Sequence, residues 1–368
     1  MEKLQKNINS IPVKTWNWLG VNAAILEAEI PVITDYLKQP RHQGCEKGVT
    51  ITDIRLNRDK IKFMEKKMDA GVSNPMKDFI KSNQNSGYFI EIGDGEKIET
   101  PIILQYDLDE HNPTLVDDHF ILAHENSEAT IIINYTSSCI KNGFHSGVTK
   151  VFAQQGAVVH LIKVQMLADQ DTHIDAISAI TDENGQVDFT LIELGALQTI
   201  TGCKTQLAGK NSTGTIHSIY FGDQNRKIDI NYVLTHQARE SLSRIEVRGV
   251  LLDHSQKIFR GTLDFIKGSS GSKGKEEEYT VLLSPTVRNR SIPLMLCEED
   301  AVEGQHAVST GKMDENKLFY LMSRGLSEVE AKKLIIEASF QPILEKIPVT
   351  ELKNTISTYL RRRLNHAQ

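Results

Sequence analysis

Cysteine is scarce. The 368 residues hold four, Cys45, Cys139, Cys203 and Cys297, far apart and without a CxxC pair, which leaves neither a disulfide framework nor a zinc ribbon. Each is expected to be a small buried hydrophobe. Long apolar runs are missing too: no stretch approaches the ~20 apolar residues that a membrane span needs. The opening MEKLQKNINSIPVKTWNWLG has neither the apolar core of a signal peptide nor the Arg/Ser-rich look of a transit peptide, so a cytoplasmic protein is expected. Positive charge is in deficit, with 42 Lys and Arg against 48 Asp and Glu for a net charge of −6. That argues against nucleic acid as a partner. The one basic stripe, Arg361 to Arg363, closes a helical pattern, where cations complement the helix dipole.

Catalytic signatures are absent as well. GSSGSKGK at 268–275 misses the GxxxxGK[ST] spacing and precedes a strand pattern, so it reads as a flexible loop and not a phosphate cradle. No GxGxxG opens a helix, and neither HExxH nor GxSxG occurs, which removes the usual support for NAD binding, zinc proteolysis and α/β-hydrolase chemistry. Glu298, Glu299 and Asp300 could serve a glycosidase, and parallel β-helices do host polysaccharide-cleaving enzymes. A charge run ahead of a turn is more simply a solvated one. His160 and His217 fall inside strand patterns and receive no role.

What is present is mainly β. The length calls for two or three folding units. Residues 1–80 read as a helical and irregular region, with both tryptophans in WNWLGVN and a Lys-rich run at IRLNRDKIKFMEKKMDAG. GYFIEIGDGEKIETPIILQYDL follows, its apolar residues alternating around Gly93, Asp94 and Gly95 as in a hairpin with a tight turn. From there a degenerate repeat emerges: ENSEATIII from Glu125, QQGAVVHLI from Gln154, ENGQVDFTLI from Glu183 and KNSTGTIHSI from Lys210, in steps of 29, 29 and 27 residues. A period in this range is a solenoid's, because one coil cannot bury its inner face until the next stacks on it. A β-helix over residues 81–305 is therefore expected, with a β-sandwich as the alternative. Residues 306–368 turn helical. Asp314 can cap a first helix that Gly325 ends, Ser327 and Glu330 form a capping box, and a last helix carries Leu352, Ile356, Tyr359, Leu360 and Leu364. These helices are expected to cap an open end of the β body.

THQARESLSRIEVRGVLLDHSQKIFRGTLDFI, SIPLMLCEEDAVEGQHA and GKMDENKLFYLMSRGLSEVEAKKLIIEASF together resemble the core of the SufB/SufD family of iron–sulfur cluster assembly proteins. The closest motifs are Ser291-Ile292-Pro293-Leu294, the turn into His306-Ala307, and LFYLMSRGL with the Glu330-Ala331 that follows. The likeness spans about residues 85–345. It implies a right-handed parallel β-helix between N-terminal and C-terminal α-helical regions. It also implies a non-enzymatic subunit that pairs with a SufB-type partner and docks a SufC-type ABC ATPase on its C-terminal helices, at Phe319, Tyr320, Arg324, Leu334 and Phe340. A homodimer is a further arrangement it allows. No cofactor is expected to stay bound, although an iron–sulfur cluster could be shared transiently with the partner. SufB-like chains carry a cysteine after the FY of the FYxxxRG segment, where this chain has Leu321. His306 matches a histidine of SufD-like chains, which makes it the candidate metal ligand at a subunit interface. Gly304 stands where those chains often have a cysteine, so cysteine-based iron binding lacks its ligand here. The competing functions are a polysaccharide lyase or hydrolase, and a SufB-like subunit that assembles clusters by itself.

Overall fold

The computed structural model describes residues 6–365 apart from 16, 39–40, 44–46, 70 and 139–141. Cys45 and Cys139 lie outside the described residues. Among the described residues eighteen strands follow one another. They are β1 (Arg41–Gln43), β2 (Val49–Asp53), β3 (Tyr88–Ile92), β4 (Ile102–Leu108), β5 (Thr114–Ala123), β6 (Glu128–Ser137), β7 (Phe144–Ala153), β8 (Val158–Met166) and β9 (Thr172–Thr181). The second half comprises β10 (Gln186–Glu193), β11 (Gln198–Leu207), β12 (Thr213–Gly222), β13 (Lys227–His236), β14 (Leu242–Leu251), β15 (Gln256–Phe265), β16 (Lys273–Leu282), β17 (Arg288–Cys297) and β18 (Glu303–Lys312).

From β3 onward the chain alternates between two facing nine-stranded sheets, and each strand from β5 to β16 pairs in parallel with the strand one coil before and one coil after it. Phe189, for example, stands beside Leu161 of the preceding coil and Ile216 of the next. The protein is a parallel β-helix, and the sandwich alternative is excluded. Two expectations change with it. The residues around Gly93 to Gly95 do turn, but β3 and β4 lie in different sheets and form no hairpin. The β-helix also runs on to Lys312, so the boundary expected at residue 306 falls inside its last strand.

The corners explain the repeat. Gly95, Asn126, Gly156, Asn184, Asn211, Glu240 and Gly271 all have positive φ, a conformation that glycine and asparagine adopt most readily. Each donates its amide to a carbonyl of the next coil, at Glu125, Gln155, Glu183, Lys210, Arg239, Ser270 and Ala301, over 2.6 to 3.1 Å. The polar pairs at Glu125, Gln154, Glu183 and Lys210 are thus the visible trace of a stacked turn. After it comes a small residue with no room to grow. Ser127, Ser212, Ser241 and Ser272 are fully buried, and the Ser127 hydroxyl closes the turn onto the His124 carbonyl at 2.6 Å. GSSGSKGK belongs to this pattern: Ser269 and Ser272 are buried and bonded to Ile266 and Ala238 carbonyls, so it is a fixed corner and not a flexible loop.

Between the sheets runs a core that includes Leu161, Phe189, Ile216 and Ile245 from one side and Val151, Ile177, Ile230 and Leu263 from the other. Both outer faces are apolar in mid-helix as well, which is why β5 and β9 are buried at every position and why further chain must cover them. The N-terminal region covers the odd-numbered sheet. Ile8, Leu26, Val72 and Met76 pack on Val116, Phe144, Ile174 and Ile200, and Asn9 ties the segment to Thr201 and Asp229. Much of this region is extended; its two helices are α1 (Arg58–Glu65) and α2 (Asn74–Asn83).

Helices α3 (Glu315–Ser323), α4 (Glu328–Leu344) and α5 (Thr350–Asn365) follow the last strand. They do not cap the open end. Ile336, Phe340, Ile343, Ile356 and Leu360 instead lie along the outer face of the even-numbered sheet, against Ile162, Ile192, Ile219, Phe221 and Val250. Arg363 locks α5 down, gripping the Asp223 carboxylate through Nε at 2.7 Å and Nη2 at 2.8 Å. The exposed apolar stripe of the sheet attracted the helices more strongly than the strand edge did, since burying such side chains stabilises by roughly 1.5–3 kcal/mol each.

Candidate functional site at the open end

With the helices on the flank, the last coil is left uncovered. β17 pairs only with β15, and β18 only with β16. All ten residues of β18 are exposed. Pro293 sits in β17, opposite Gly261, a placement that a strand with one free side tolerates because proline cannot donate to a second ladder. Two free strand edges of ten residues each are a template for pairing with another chain.

His306 lies on β18, in a strand and not in the turn before a helix. Its register partner is Glu276 on β16, and imidazole Nδ1 lies 2.8 Å from Glu276 Oε2. The carboxyl of Glu276 is buried, its Oε1 has no partner, and it fits because a Cβ on Gly261 would stand 2.1 Å from that oxygen. Burial pushes the Glu276 acid upward, and His306 offsets the shift only in part. With Glu276 ionised it accepts from Nδ1–H, which fixes the ring and leaves the Nε2 lone pair free. That is the arrangement by which a carboxylate orients a metal-binding histidine. Among the described residues no group of three or more His, Cys, Asp or Glu is placed to hold a metal ion, so His306 offers a single ligand.

Behind this pair lies a polar file that no sequence pattern singled out. Lys257 and Glu278 form a fully buried ion pair, with Ser291 Oγ 3.0 Å from Lys257 and the Tyr220 hydroxyl donating to Glu278 at 3.2 Å. Farther in, Tyr232 meets Ser218 at 3.0 Å. His173 and His145 then face each other through their Nδ1 atoms at 2.8 Å, and His145 reaches Asp117 at 3.2 Å. Lys163 pairs with Asp175 beside them. Burial would raise the Asp117 acid, yet His145 and His119 hold it well below the usual carboxylate range. Glu193 goes the other way: burial, with Asp175 nearby, pushes it up to about 8, and Lys163 offsets the shift only in part. The available signal was charge at inward-facing positions of Val/Ile-rich strands. His160 and His217 lie elsewhere, beside Asp188, with His217 also near Glu246.

The cysteines divide. Cys203 is buried in the core, its thiol pushed up to about 12 by desolvation, whereas Cys297 at the end of β17 is exposed. The expectation that every cysteine is a buried hydrophobe therefore fails at Cys297, because its strand faces no covering layer. At position 304 a Cβ would press within 2.4 Å of the Met295 methyl, so a larger residue here requires Met295 to move.

The five residues expected to meet a partner also separate. Phe319, Tyr320 and Leu334 are exposed by 73%, 56% and 46%, and Arg324 lies over the Tyr320 ring at 5.2 Å. No residue of α3 is fully buried. Phe340 is different: it is completely buried against the even-numbered sheet and cannot present itself to another protein. Helical spacing places residue 340 on the inward face of α4, which sequence alone could not orient.

The SUF system FeS cluster assembly SufBD core domain model matches residues 106–339 of this chain. An iron–sulfur cluster assembly protein SufD of Bacillus subtilis is 26% identical over 334 residues, spanning 87% of this chain and 75% of its own. Iron–sulfur cluster assembly SufBD family proteins of Staphylococcus saprophyticus and Staphylococcus haemolyticus are 22% and 24% identical over 365 residues, each spanning 95% of this chain and 78% of theirs.

Proposed function

The chain belongs to the SufBD core-domain family of the SUF iron–sulfur cluster assembly system, and from that premise we propose that it is a SufD-type scaffold subunit, one that acts by binding and not by turnover. The carrying observation is the open coil with its oriented imidazole. The free edges of β17 and β18 continue their ladders into the edge strands of a SufB-type partner, or of a second copy of this chain. His306, held by Glu276, then stands at the seam and offers Nε2 to iron of the nascent cluster, the cargo. The remaining ligands, thiolates or sulfide, come from the partner and the cargo itself. One weak, neutral ligand suits a cluster that must leave again.

Phe319, Tyr320 and Leu334 on α3 and α4 form the apolar face that docks the SufC-type ATPase, which hydrolyses ATP on the scaffold's behalf. An amphipathic helical face set into a partner's groove is a recurrent mode of recognition. Family membership argues against the polysaccharide-cleaving alternative. Cytoplasmic placement goes with this reading; no described helix is long and apolar enough to cross a membrane.

The decisive experiment is anaerobic reconstitution of the co-purified complex. His306→Ala and Glu276→Gln are expected to leave the complex intact and to lower cluster yield, with Glu276→Gln the milder because it misorients the ring without removing it. Unchanged yield in both variants returns the pair to a structural role. A full, sulfur-ligated cluster on the isolated chain would favour the SufB-like alternative instead. For docking, Phe319→Asp and Tyr320→Asp should abolish capture of the ATPase while the chain still folds; retained capture refutes the assignment.

A further inference from the structure

The Lys-rich run of residues 54–71 has no part in that function, and its fold gathers charge in one place. A cleft of about 220 Å³ opens between α1 and α2 over the outer face of β5 and β7. Gly71, at φ +97°, lets the chain turn sharply from one helix toward the other. Arg58, Lys62 and Lys66 line one wall at four-residue spacing, and Lys77 and Lys81 line the other at the same spacing, so each helix turns one cationic face to the cleft.

The floor is already neutral. Lys150 lies 2.8 Å from Glu65 and 2.5 Å from Asp118, while Arg58 lies 2.9 Å from Asp118. These two cations and two carboxylates satisfy one another. Lys62, Lys66, Lys77 and Lys81 remain, with no carboxylate left on the cleft wall to pair with them. Like charges at four-residue spacing are destabilising by a few tenths of a kcal/mol per pair, and here two such pairs face each other in a chain whose net charge is −6.

We propose that this cleft binds a diphosphate group, free or carried by a nucleoside. Lysine ammoniums act as compact point charges on phosphate, and four of them around one concavity match the several negative charges of a diphosphate better than a single carboxylate. Among the described residues no aromatic ring lines the cleft, so the base stacking that sustains single-stranded nucleic-acid binding is not on offer. The site lies over β5 and β7, several coils from the open edge at β17 and β18, and is independent of the scaffold reading.

The test is calorimetric titration of the full chain at low ionic strength with sodium pyrophosphate, ADP and a short single-stranded oligonucleotide. Pyrophosphate is expected to bind at one site, with affinity at least about tenfold weaker in the Lys62→Glu/Lys81→Glu double variant and unchanged in Lys267→Glu, an exposed lysine at a distant corner. Equal affinity for pyrophosphate and ADP assigns binding to the diphosphate alone; tighter ADP adds a nucleoside contact. Lys62 and Lys81 project from helix surfaces, and a matching circular dichroism spectrum verifies the variant's fold. The proposal is overturned if the wild-type chain shows no saturable binding, if Lys267→Glu weakens it as much, or if the oligonucleotide binds more tightly than pyrophosphate.

Discussion

The middle of the β-helix and its last coil are built from the same strand length and the same pairing, yet they meet water in opposite ways. Strands β5 and β9 are buried throughout, whereas β18 is exposed throughout. The N-terminal segment and helices α4 and α5 cover the middle because its outer faces carry isoleucine, valine and phenylalanine. On β18 the corresponding residues are polar or small, such as Gln305, Ala307 and Ser309, and no described part of the chain covers them. A covered face holds the monomer together, while an uncovered edge is available for assembly.

The sharpest way to break this comparison is to treat the covered and uncovered aromatic residues alike. Phe340→Ala should cost about 3–5 kcal/mol, as expected for a fully buried ring, while Phe319→Ala should change stability by less than about 0.5 kcal/mol. Urea midpoints of the two variants measure the difference. If they matched, the helices would not be packed as described. The Arg363 clamp should come next: Arg363→Ala leaves Asp223 short of a partner in a buried setting, a loss of about 3 kcal/mol, read by the same assay.

Glu193 gives a pH-dependent test of the interior. Its carboxyl titrates at about 8 in the folded chain, against an ordinary value near 4.3 when unfolded. Between those two values the folded state keeps a proton that the unfolded chain has released. Its contribution to stability is therefore complete at acid pH and is lost as pH rises through about 8. Glu193→Gln should flatten that decline and gain on the order of 2 kcal/mol near pH 8. Equal slopes of unfolding free energy against pH in both proteins would refute the assignment. The smallest effect belongs to a corner. Glu240 holds a left-handed conformation at φ +60°, so Glu240→Gly should stabilise by roughly 0.5 kcal/mol, net of the lost pairing with Lys210.

Much of this was legible. The polar pairs at Glu125, Gln154, Glu183 and Lys210 mark real corners because a left-handed turn restricts its residues, and the restriction repeats once per coil. Ser327 and Glu330 do form the capping box, a purely local arrangement. The hairpin at Gly93 to Gly95 failed for a related reason: a turn residue reports that the chain bends, but not which strand it then joins. Phe340 and Cys297 failed because burial depends on the layer above a residue, and a strand or helix does not record its own covering. His306 was found by resemblance, while its partner Glu276, thirty residues earlier, was not, because their contact exists only in the register between neighbouring coils.

Period, corner chemistry and helix caps were determined by the sequence alone, since each depends on a handful of adjacent residues and their φ preferences. Which faces were covered, which edges stayed open and which buried charges met were decided only by the tertiary structure. Those outcomes depend on apolar area, strand register and electrostatic pairing between residues far apart in the chain.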